Sequence, residues 1–451
     1  MAACNITLVD PNNIAWSVDA SNVVYFSVYL SGTERPPCGG GNFTPPSGGE
    51  TVTADAGTIT VGDTTATYAV DPSKLTNLIN STSGSTVTLT IPDQVHTPQV
   101  SISLPADAVA ALASAGKDVS VSYQGASLQL PKETFSLPGI QNAQGSLVLA
   151  LGTQTGDAAK ALLQSAATGG TTPVSQVFTL DLGFEANGVV TPFTGTFAVP
   201  VRAAFEYQPD QLGSAPLGSL GDYWFDGSTW QFVGGIVDGQ DHQVGANLWH
   251  FSTYTVLSYQ KTFADIAHHW AKSTIELMAS KHVVKGTSAT TFEPDRAITR
   301  AEFTAMVVRA LGYPLQTPAT SPFSDVSTKS WYYSVVATAK AHGLVNGVGG
   351  GRFAPEAKIT REEMAAVVVR AAHALGKGQT LSASQADAVL KAFADAKSVS
   401  AWARAEMAEA VADGLIKGRE TGLAPAADST RAESATVSMR FMDFLGLLGD
   451  H

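Results

Sequence analysis

Three copies of one residue pattern fill the C-terminal part of this 451-residue chain and constrain its fold more than any other feature. Each copy has a Phe-x-Asp segment, then a tryptophan, then a glycine and then Thr-Arg-x-Glu. The tryptophan precedes the arginine by 30, 30 and 29 residues, and the glycine precedes it by 14, 14 and 13. Repeats of this length are supersecondary units that bury their apolar faces only against one another. We therefore expect the copies, at about residues 263–312, 323–376 and 393–445, to form one body.

Each copy predicts two helices joined by a loop. After the first tryptophan, Ile275, Met278 and Ala279 recur at helical spacing, and a glycine and a proline then mark a loop. Thr-Arg-x-Glu predicts the start of the second helix, because a threonine cap and a glutamate three residues later satisfy each other's backbone donors. Phe303 and Met306 continue this helix as a buried stripe.

The arginine of each copy takes the first helical position, where it opposes the positive end of the helix dipole. One interpretation is an anion site, in which the arginine and free backbone N–H groups bind a carboxylate or a phosphate. The alternative is that each arginine pairs with a nearby acid and only ties the repeats together. The three arginines are Arg300, Arg361 and Arg431, and the nearby acids are Asp265, Asp325 and Asp395.

The complete pattern resembles the surface-layer homology (SLH) repeats of bacterial cell-envelope proteins. The match covers about residues 263–445, and three tandem copies at one terminus are the usual arrangement of that family. The resemblance implies a pseudo-threefold helical bundle whose grooves bind a pyruvylated secondary cell-wall polysaccharide. It also implies an extracellular location in the cell wall or surface layer of a bacterium.

By the same resemblance, the arginines would meet the pyruvyl carboxylate, and the tryptophans and aspartates would shape the grooves and hold sugar hydroxyls. The glycines would let the backbone approach the ligand, whereas burial in the core is the alternative for the tryptophans. The implied glycan-binding residues are Asp265, Trp270, Gly286 and Arg300 in the first copy, Asp325, Trp331, Gly347 and Arg361 in the second, and Asp395, Trp402, Gly418 and Arg431 in the third. We expect Arg300→Ala combined with Arg361→Ala to abolish binding to cell walls.

The third copy departs from the pattern at two positions. Leu423 stands where the other copies have phenylalanine, and Ser429 stands where they have isoleucine. We therefore expect its loop to be less firmly anchored to the core than the other two loops, and its groove to be the weakest.

The first 258 residues have mostly β character. Segments rich in β-branched residues, at 22–30, 58–61 and 85–91, predict a sandwich-like domain over residues 1–95. A helix over 106–115, ending at Gly116, and a strand over 119–123 predict a second domain over 96–258, in which a helix packs on a sheet. Residues 223–230 predict a hairpin, and 248–254 predict a strand that leads into the repeats of residues 259–451. The predicted fold class is multidomain α+β, with mainly-β domains before a helical bundle.

The balance of basic and acidic side chains changes where the repeats begin. Up to Thr262 there are 7 basic and 20 acidic side chains, whereas the remainder has 20 basic and 19 acidic ones. The acidic part disfavours nucleic acid as a partner, because phosphates would be repelled. An acidic surface suits extracellular solubility or the binding of divalent cations. We expect no cofactor, with calcium as the alternative, and the sequence does not indicate which residues would bind it. No run of 18 apolar residues occurs, and no membrane span is predicted.

The N-terminus bears on processing and redox state. Met1 is followed by no basic segment and apolar run, so we expect a mature form without a signal peptide. The two cysteines, Cys4 and Cys38, are expected to form one disulfide in an exported chain, with free thiols as the alternative. They are too few to hold a structural zinc ion.

Catalytic patterns are scarce. Asp222 with Asp226, and Asp238 with Asp241, are carboxylate pairs that would suit a glycosidase, but turns favour aspartate for backbone reasons. The sequence has no nucleophile elbow, HExxH or P-loop pattern. We therefore expect that the chain is not an enzyme.

Three functional hypotheses follow from these patterns. The leading one is a structural surface-layer or surface-layer-like protein, held on the wall polysaccharide by its repeats and assembling with itself into a lattice. The alternatives are a surface enzyme that acts on glycans and an adhesin. Sustained turnover of a polysaccharide would favour the enzyme over the lattice protein.

Overall fold

This computed structural model describes residues 14–18, 24–28, 50–136, 140, 145–419 and 422–451 of the chain. The chain forms two compact units, Met1–Pro45 and Pro46–His451. In the first unit, β1 (Ile14–Val18) and β2 (Val24–Val28) pair antiparallel. Cys4 and Cys38 lie outside the described residues, so the disulfide between them remains a prediction.

The strands of the second unit form two sheets. They are β3 (Glu50–Ala54), β4 (Gly57–Val61), β5 (Thr65–Val70), β6 (Thr86–Leu89), β7 (Gln99–Pro105), β8 (Asp118–Tyr123), β9 (Ala126–Leu130), β10 (Ser146–Gln154), β11 (Thr172–Pro173), β12 (Val177–Ala186), β13 (Val189–Pro192), β14 (Val201–Glu206), β15 (Leu220–Phe225), β16 (Trp230–Gly234), β17 (Ile236–Asp238), β18 (Gln243–Leu248) and β19 (Thr253–Ser258). The larger sheet has the order β16-β15-β19-β12-β10-β7-β5-β4-β3, with β11 paired to β19 and β13 paired to β12. The smaller sheet has the order β17-β18-β14-β9-β8-β6.

The two sheets share one core. Along β4, Ile59 is buried and Thr60 is exposed, because successive side chains of a strand point to opposite faces. One cluster of buried side chains extends from residue 52 to residue 256 and draws on both sheets.

Strands on the two sides of residue 95 lie next to each other in both sheets. β5 pairs in parallel with β7, and β6 pairs in parallel with β8. The division into domains expected at residue 95 is therefore absent from the described strand pairing. Parallel neighbours need a crossover connection, and a strand pattern in the sequence does not show which segments such a connection brings together.

Short helices accompany the sheets. They are α1 (Pro72–Ser81), α2 (Ala106–Ala115), α3 (Gly156–Thr168) and α4 (Pro209–Leu212). α1 begins after Asp71, whose carboxylate accepts hydrogen bonds from the N–H groups of Ser73 and Lys74. α2 ends at Gly116, as the sequence predicts, because this residue has a φ of 62° in the left-handed region.

The repeats form a helical bundle with one core. Its helices are α5 (Lys272–Ser280), α6 (Arg300–Ala310), α7 (Tyr333–Ala341), α8 (Arg361–Ala374), α9 (Ala383–Leu390), α10 (Arg404–Ala412) and α11 (Arg431–Phe444). The predicted capping boxes open α6, α8 and α11. The repeat pattern did not predict α9, which lies between the second and third copies and has its own capping box at Ser382 and Gln385.

Hydrogen bonds connect the three repeats in a ring. The N–H of Ile298 donates to the carbonyl of Ser429 at 2.9 Å, that of Ser429 to Ile359 at 2.9 Å, and that of Ile359 to Ile298 at 3.1 Å. This cyclic order gives the bundle its pseudo-threefold arrangement. The expected α+β fold class, with a β-rich N-terminal region and a helical C-terminal region, is confirmed.

The sheets and the bundle are joined by buried contacts. The Nζ of Lys281 donates to the carbonyls of Leu220 at 2.8 Å and Gly235 at 2.7 Å. The segment 248–254, expected as one strand, instead contains the end of β18, a connection over residues 249–252 and the start of β19 in the other sheet. The indole N–H of Trp249 in this connection donates to the Gly312 carbonyl. Among the described residues, no helix has the length and apolar character needed to cross a membrane.

Candidate functional site

The arginine that begins the second helix of each repeat is buried against the next repeat. Only 8% of Arg300, 4% of Arg361 and 5% of Arg431 is exposed. The Nε of each side chain donates to a backbone carbonyl in the next repeat, at Phe353 (2.9 Å), Leu423 (2.7 Å) and Phe292 (2.7 Å) respectively. The arginines therefore link repeat one to two, two to three and three to one.

Each arginine also faces the glutamate of the next capping box. The Nη1 to Oε1 distances are 2.9 Å for Arg300 and Glu363, 3.1 Å for Arg361 and Glu433, and 3.7 Å for Arg431 and Glu302. The same glutamates accept the N–H of their own cap threonines, so each carboxylate both begins a helix and compensates a buried cation. Pairing of each arginine with an acid was the alternative to an anion site, and the structure shows such a pair. The partner is this glutamate and not the aspartate of the Phe-x-Asp segment. Burial lowers the pKa of Arg300 and the charge of Glu363 raises it, and an arginine stays protonated in such a site.

The aspartates of the Phe-x-Asp segments hold the loops of their own repeats. Asp325 accepts the N–H groups of Phe353 at 2.7 Å and Ala354 at 2.8 Å. Ala354 has a φ of 59°, so the carboxylate stabilises a left-handed turn that a residue with a side chain adopts reluctantly. Asp265 and Asp395 make the equivalent bonds in their repeats. These bonds give the aspartates a structural role in the loops.

Hydrogen bonds decide the ionisation of these aspartates. Burial alone would raise the pKa of Asp265, but the backbone N–H groups of Glu293 and Phe292 outweigh it, so the pKa lies below the ordinary value. The same balance holds for Asp325 and Asp395. All three carboxylates are therefore charged at neutral pH and contribute negative charge near the arginines.

The glycines of the three loops pack against phenylalanines of the same repeats. A Cβ on Gly286 would lie 2.5 Å from the ring of Phe263 and 2.4 Å from the carbonyl oxygen of Ser288. A Cβ would also lie 2.4 Å from the Arg352 carbonyl at Gly347 and 2.8 Å from the Phe393 ring at Gly418. The close approach that requires glycine is thus an approach to the repeat's own ring and loop.

The three tryptophans are exposed. The exposed fraction is 65% for Trp270, 58% for Trp331 and 54% for Trp402. Burial in the core, the alternative considered for them, is therefore wrong. Trp402 and Trp270 each line a groove whose other lining residues come from the other two repeats.

Groove A is defined by Arg300, Gly347, Glu363, Arg370 and Trp402 and has a volume of about 340 Å³. Its arginine at the base comes from the first repeat, its loop and glutamate from the second, and its tryptophan from the third. Arg370 contacts Glu406 at 3.1 Å. Two cations and one carboxylate therefore face this groove.

Groove B is defined by Arg361, Gly418, Glu433, Arg440 and Trp270 and has a volume of about 250 Å³. Its buried arginine comes from the second repeat, its loop and glutamate from the third, and its tryptophan from the first. Two further cations, Lys417 and Arg419, also line it. Positive charge dominates this groove, which suits an anionic ligand.

Residues equivalent to those of grooves A and B line a third, wider space. Lys285, Arg309 and Trp331 line a cleft that continues onto the β sheets, and we call it the junction cleft. Arg431 and Gly286 are not part of its lining. Arg431 instead donates to the Lys285 carbonyl at 2.7 Å.

A second arginine in each repeat was missed by the sequence reasoning. Arg309, Arg370 and Arg440 each follow the capping-box arginine by nine residues, and each lines a groove or the junction cleft. The equal spacing in three copies was a signal that could have identified them.

The two positions at which the third copy departs from the pattern are both fully buried. Leu423 is 0% exposed, and its N–H bonds to Asp395 at 2.8 Å. Ser429 is also 0% exposed, and its N–H belongs to the ring of bonds at the centre of the bundle. The expectation of a loosely anchored third loop is therefore wrong, because backbone bonds and a leucine of adequate size replace the aromatic ring.

The aspartates considered for catalysis do not form a site in the described residues. Asp226 accepts the N–H groups of Thr229 at 2.7 Å and Ser228 at 2.9 Å, which lower its pKa, and Asp238 accepts those of Gln240 and Asp241. Asp222 is fully buried, and burial raises its pKa. Over the described ranges, no group of three or more His, Cys, Asp or Glu side chains is arranged to hold a metal ion. The binding of calcium stays a prediction.

Comparison with known proteins identifies the repeats. The model of the S-layer homology domain matches residues 262–304, 322–365 and 392–435. The chain therefore carries three S-layer homology domains, which confirms the resemblance. These domains indicate a location at the cell surface or in the cell wall.

Similar proteins fall into two groups by name. Over 220 residues, or 48% of this chain, it is 39% identical to an amylopullulanase of Thermoanaerobacterium thermosulfurigenes. Over 219 residues, again 48% of the chain, it is 35% identical to exoglucanase XynX of Acetivibrio thermocellus. It is 33% identical over 178 residues, or 39% of the chain, to the surface-layer 125 kDa protein of Lysinibacillus sphaericus. The matches span 11%, 19% and 14% of the respective relatives.

The comparisons contradict one expectation. The sequence led us to expect that the chain is not an enzyme, yet the relatives include proteins named as an amylopullulanase and an exoglucanase. The scarcity of catalytic motifs was a weak argument, because glycosidases need only two carboxylates without a fixed sequence spacing.

Proposed function

We propose that the three S-layer homology domains anchor this chain to an acidic polysaccharide of the bacterial cell wall, and that the anchored protein acts on glycans at the cell surface. The single observation that carries the anchoring role is the composition of grooves A and B. Each joins a buried arginine, an exposed tryptophan and a second arginine taken from different repeats. S-layer homology domains bind cell-wall polysaccharide, which supports this assignment.

The arginines retain donors for a ligand. A guanidinium carries five N–H groups. In the described residues, Arg300 uses donors toward Phe353 and Glu363, and one edge of it lines groove A. We assign this edge to the carboxylate of a pyruvylated sugar, because bidentate contact with a guanidinium suits a carboxylate.

The exposed tryptophans are suited to pack against the ring of the sugar that carries the carboxylate. The C–H face of a pyranose ring is apolar and packs on an aromatic face, whereas its hydroxyls need polar partners at the edge. Trp402 exposes more than half of its surface beside Arg300, so it offers a ring face next to the cation. The glycan-binding residues proposed from the resemblance therefore keep this role for the arginines and tryptophans, while the aspartates and glycines act by shaping the loops.

Sedimentation with purified walls tests the anchor. The arginines hold the repeats together, so their removal would confuse unfolding with lost binding, and Trp270→Ala with Trp402→Ala is the better double variant. We expect each change to weaken binding about tenfold, equivalent to ~1.4 kcal/mol. Val189→Ala, at a side chain 66% exposed on β13, is the control and should sediment like the wild type. Full retention of the double variant, or equal binding to walls stripped of polysaccharide, would refute the groove assignment.

The wider role rests on the relatives. The similarity to proteins named as an amylopullulanase and an exoglucanase favours action on a glycan. Release of reducing ends from pullulan and from soluble cellulose by the full chain would support it. The second candidate is a surface-layer subunit, favoured by the similarity to the surface-layer 125 kDa protein. Ordered sheets in the electron microscope, without any release of reducing ends, would decide for that candidate.

A further inference from the structure

The junction cleft is larger than grooves A and B and has a wall that the repeats do not supply. Its volume is about 780 Å³, against about 340 Å³ and 250 Å³ for the two grooves. Pockets for small ligands commonly enclose 300–1,000 Å³. The cleft is therefore wide enough for a longer ligand than either groove.

One wall of the cleft comes from the β sheets and is aromatic. Trp224 lies on β15, half-buried, with its ring in an edge-to-face contact 4.5 Å from that of His250. Trp249 is also half-buried and donates its indole N–H to the Gly312 carbonyl at 3.1 Å. The bond fixes the Trp249 ring, whose centre lies 6.2 Å from that of Tyr313. The wall thus presents several aromatic surfaces in fixed positions.

The opposite wall comes from the bundle and is basic. Lys285 is exposed, Arg309 is half-buried, and Trp331 is 58% exposed. Lys281 also lines the cleft, as does one acid, Asp226, whose carboxylate is engaged by its own turn. Cations therefore outnumber the acid in the lining.

The two walls are held in one geometry by the contacts between sheets and bundle. The hydroxyl of Tyr223 lies 2.8 Å from Nε2 of His282. Lys281, which is 1% exposed, bonds to two carbonyls of the β part. A ligand would meet a site that is already formed, so little binding energy would be lost in ordering it.

From this juxtaposition we propose that the junction cleft binds an acidic glycan chain over several successive sugars, with Trp224 and Trp249 adding positions that grooves A and B lack. The inference rests on the proposed function, because it assigns the third groove to the same class of ligand. Aromatic faces pack on sugar rings, and Lys285 and Arg309 compensate acidic substituents along the chain. Grooves A and B, with their smaller volumes, take a short terminal segment.

Isothermal titration with fragments of graded length tests the proposal. The probe is the acidic polysaccharide from walls that retain the wild-type chain, cleaved and separated by size from one repeat unit to several. We expect the wild type to bind long fragments more tightly than single units. Trp224→Leu and Lys285→Glu should weaken binding of long fragments about tenfold and leave single-unit binding at grooves A and B unchanged.

Matched variants serve as controls. Trp230→Leu changes a half-buried tryptophan of the same hairpin outside the cleft lining and should bind like the wild type. Lys417→Glu changes the equivalent lysine in groove B and should weaken single-unit binding as well. Lys285→Glu alters an exposed side chain, so it keeps the test valid if Trp224→Leu fails to fold.

The outcomes separate the two proposals. If no wall retains the wild type and no fragment binds it, the anchoring function and the cleft assignment both fall. If fragments bind but Trp224→Leu and Lys285→Glu match the wild type at every length, only the cleft assignment is overturned. Displacement of long fragments by hexaglutamate at equal concentration would show a site for acidic peptide and would also overturn it.

Discussion

The Nη1 of Arg361 lies 3.1 Å from Oε1 of Glu433, and Oε2 of the same glutamate accepts the N–H of Thr430 at 3.0 Å. One carboxylate therefore caps a helix of the third repeat and compensates a buried cation of the second. Because the relation recurs around the ring, each groove is built on a link that also holds the bundle together.

We expect Arg361→Ala to destabilise the bundle by about 3–5 kcal/mol, since Glu433 loses its buried cation and the carbonyls of Leu423 and Lys417 lose their donors. Urea unfolding followed by circular dichroism measures the change. Arg419→Ala removes a partly exposed partner of the same Glu433 and should change stability by less than about 1 kcal/mol. Equal effects of the two variants would contradict the structural role of Arg361.

Gly286→Ala should destabilise the first repeat by roughly 1–3 kcal/mol, because the new methyl group would overlap the Phe263 ring and a loop carbonyl. Thermal unfolding checks this expectation. Gly84→Ala is the matched control, as its Cβ would meet no atom within 4 Å. A melting temperature for Gly286→Ala at or above that of Gly84→Ala would rule out the close approach.

Asp325→Asn should reduce the loss of stability of the bundle in acid. Backbone hydrogen bonds from Phe353 and Ala354 outweigh the effect of burial and hold the pKa of Asp325 below its ordinary value. Such a group stabilises the fold above its ordinary pKa, and this contribution disappears as pH falls through the lowered value. Unfolding free energies at about pH 6 and about pH 3 should therefore differ less for the variant than for the wild type. An unchanged difference would contradict the expectation.

Asp222→Asn should stabilise the protein increasingly as pH rises. Burial raises the pKa of Asp222 well above its ordinary value of 3.8, and Lys281 only partly opposes the shift. Because the folded state holds this proton more tightly than the unfolded state, the wild type loses stability as pH rises above the ordinary pKa. The gain of the variant over the wild type should be larger at about pH 7 than at about pH 4. A gain independent of pH would show that the carboxyl is not protonated in the fold.

Much of the bundle could be predicted from the sequence, because the residues that indicate its helix starts lie within a few positions of one another. The capping boxes before Arg300, Arg361 and Arg431 depend on residues three positions apart, and all three form as expected. The end of α2 at Gly116 is local in the same sense. The resemblance to surface-layer homology repeats also rested on short patterns of this kind, and the match of the family model confirms it.

Other features depended on contacts between distant segments. The pairing of β5 with β7 is a contact of this kind, and so is the choice of Glu363 rather than an aspartate as the partner of Arg300. Nor could the sequence show that Trp402 lies beside Arg300, 102 positions earlier in the chain.

The sequence by itself determined the number of repeats, their helix starts and the positions of their arginines and tryptophans, because capping and loop chemistry act over a few residues. Only the tertiary structure decided which repeats share a groove and that the β sheets supply one wall of the junction cleft. The physical reason is that ring closure and sheet packing bring together side chains whose separation along the chain carries no signal of their proximity.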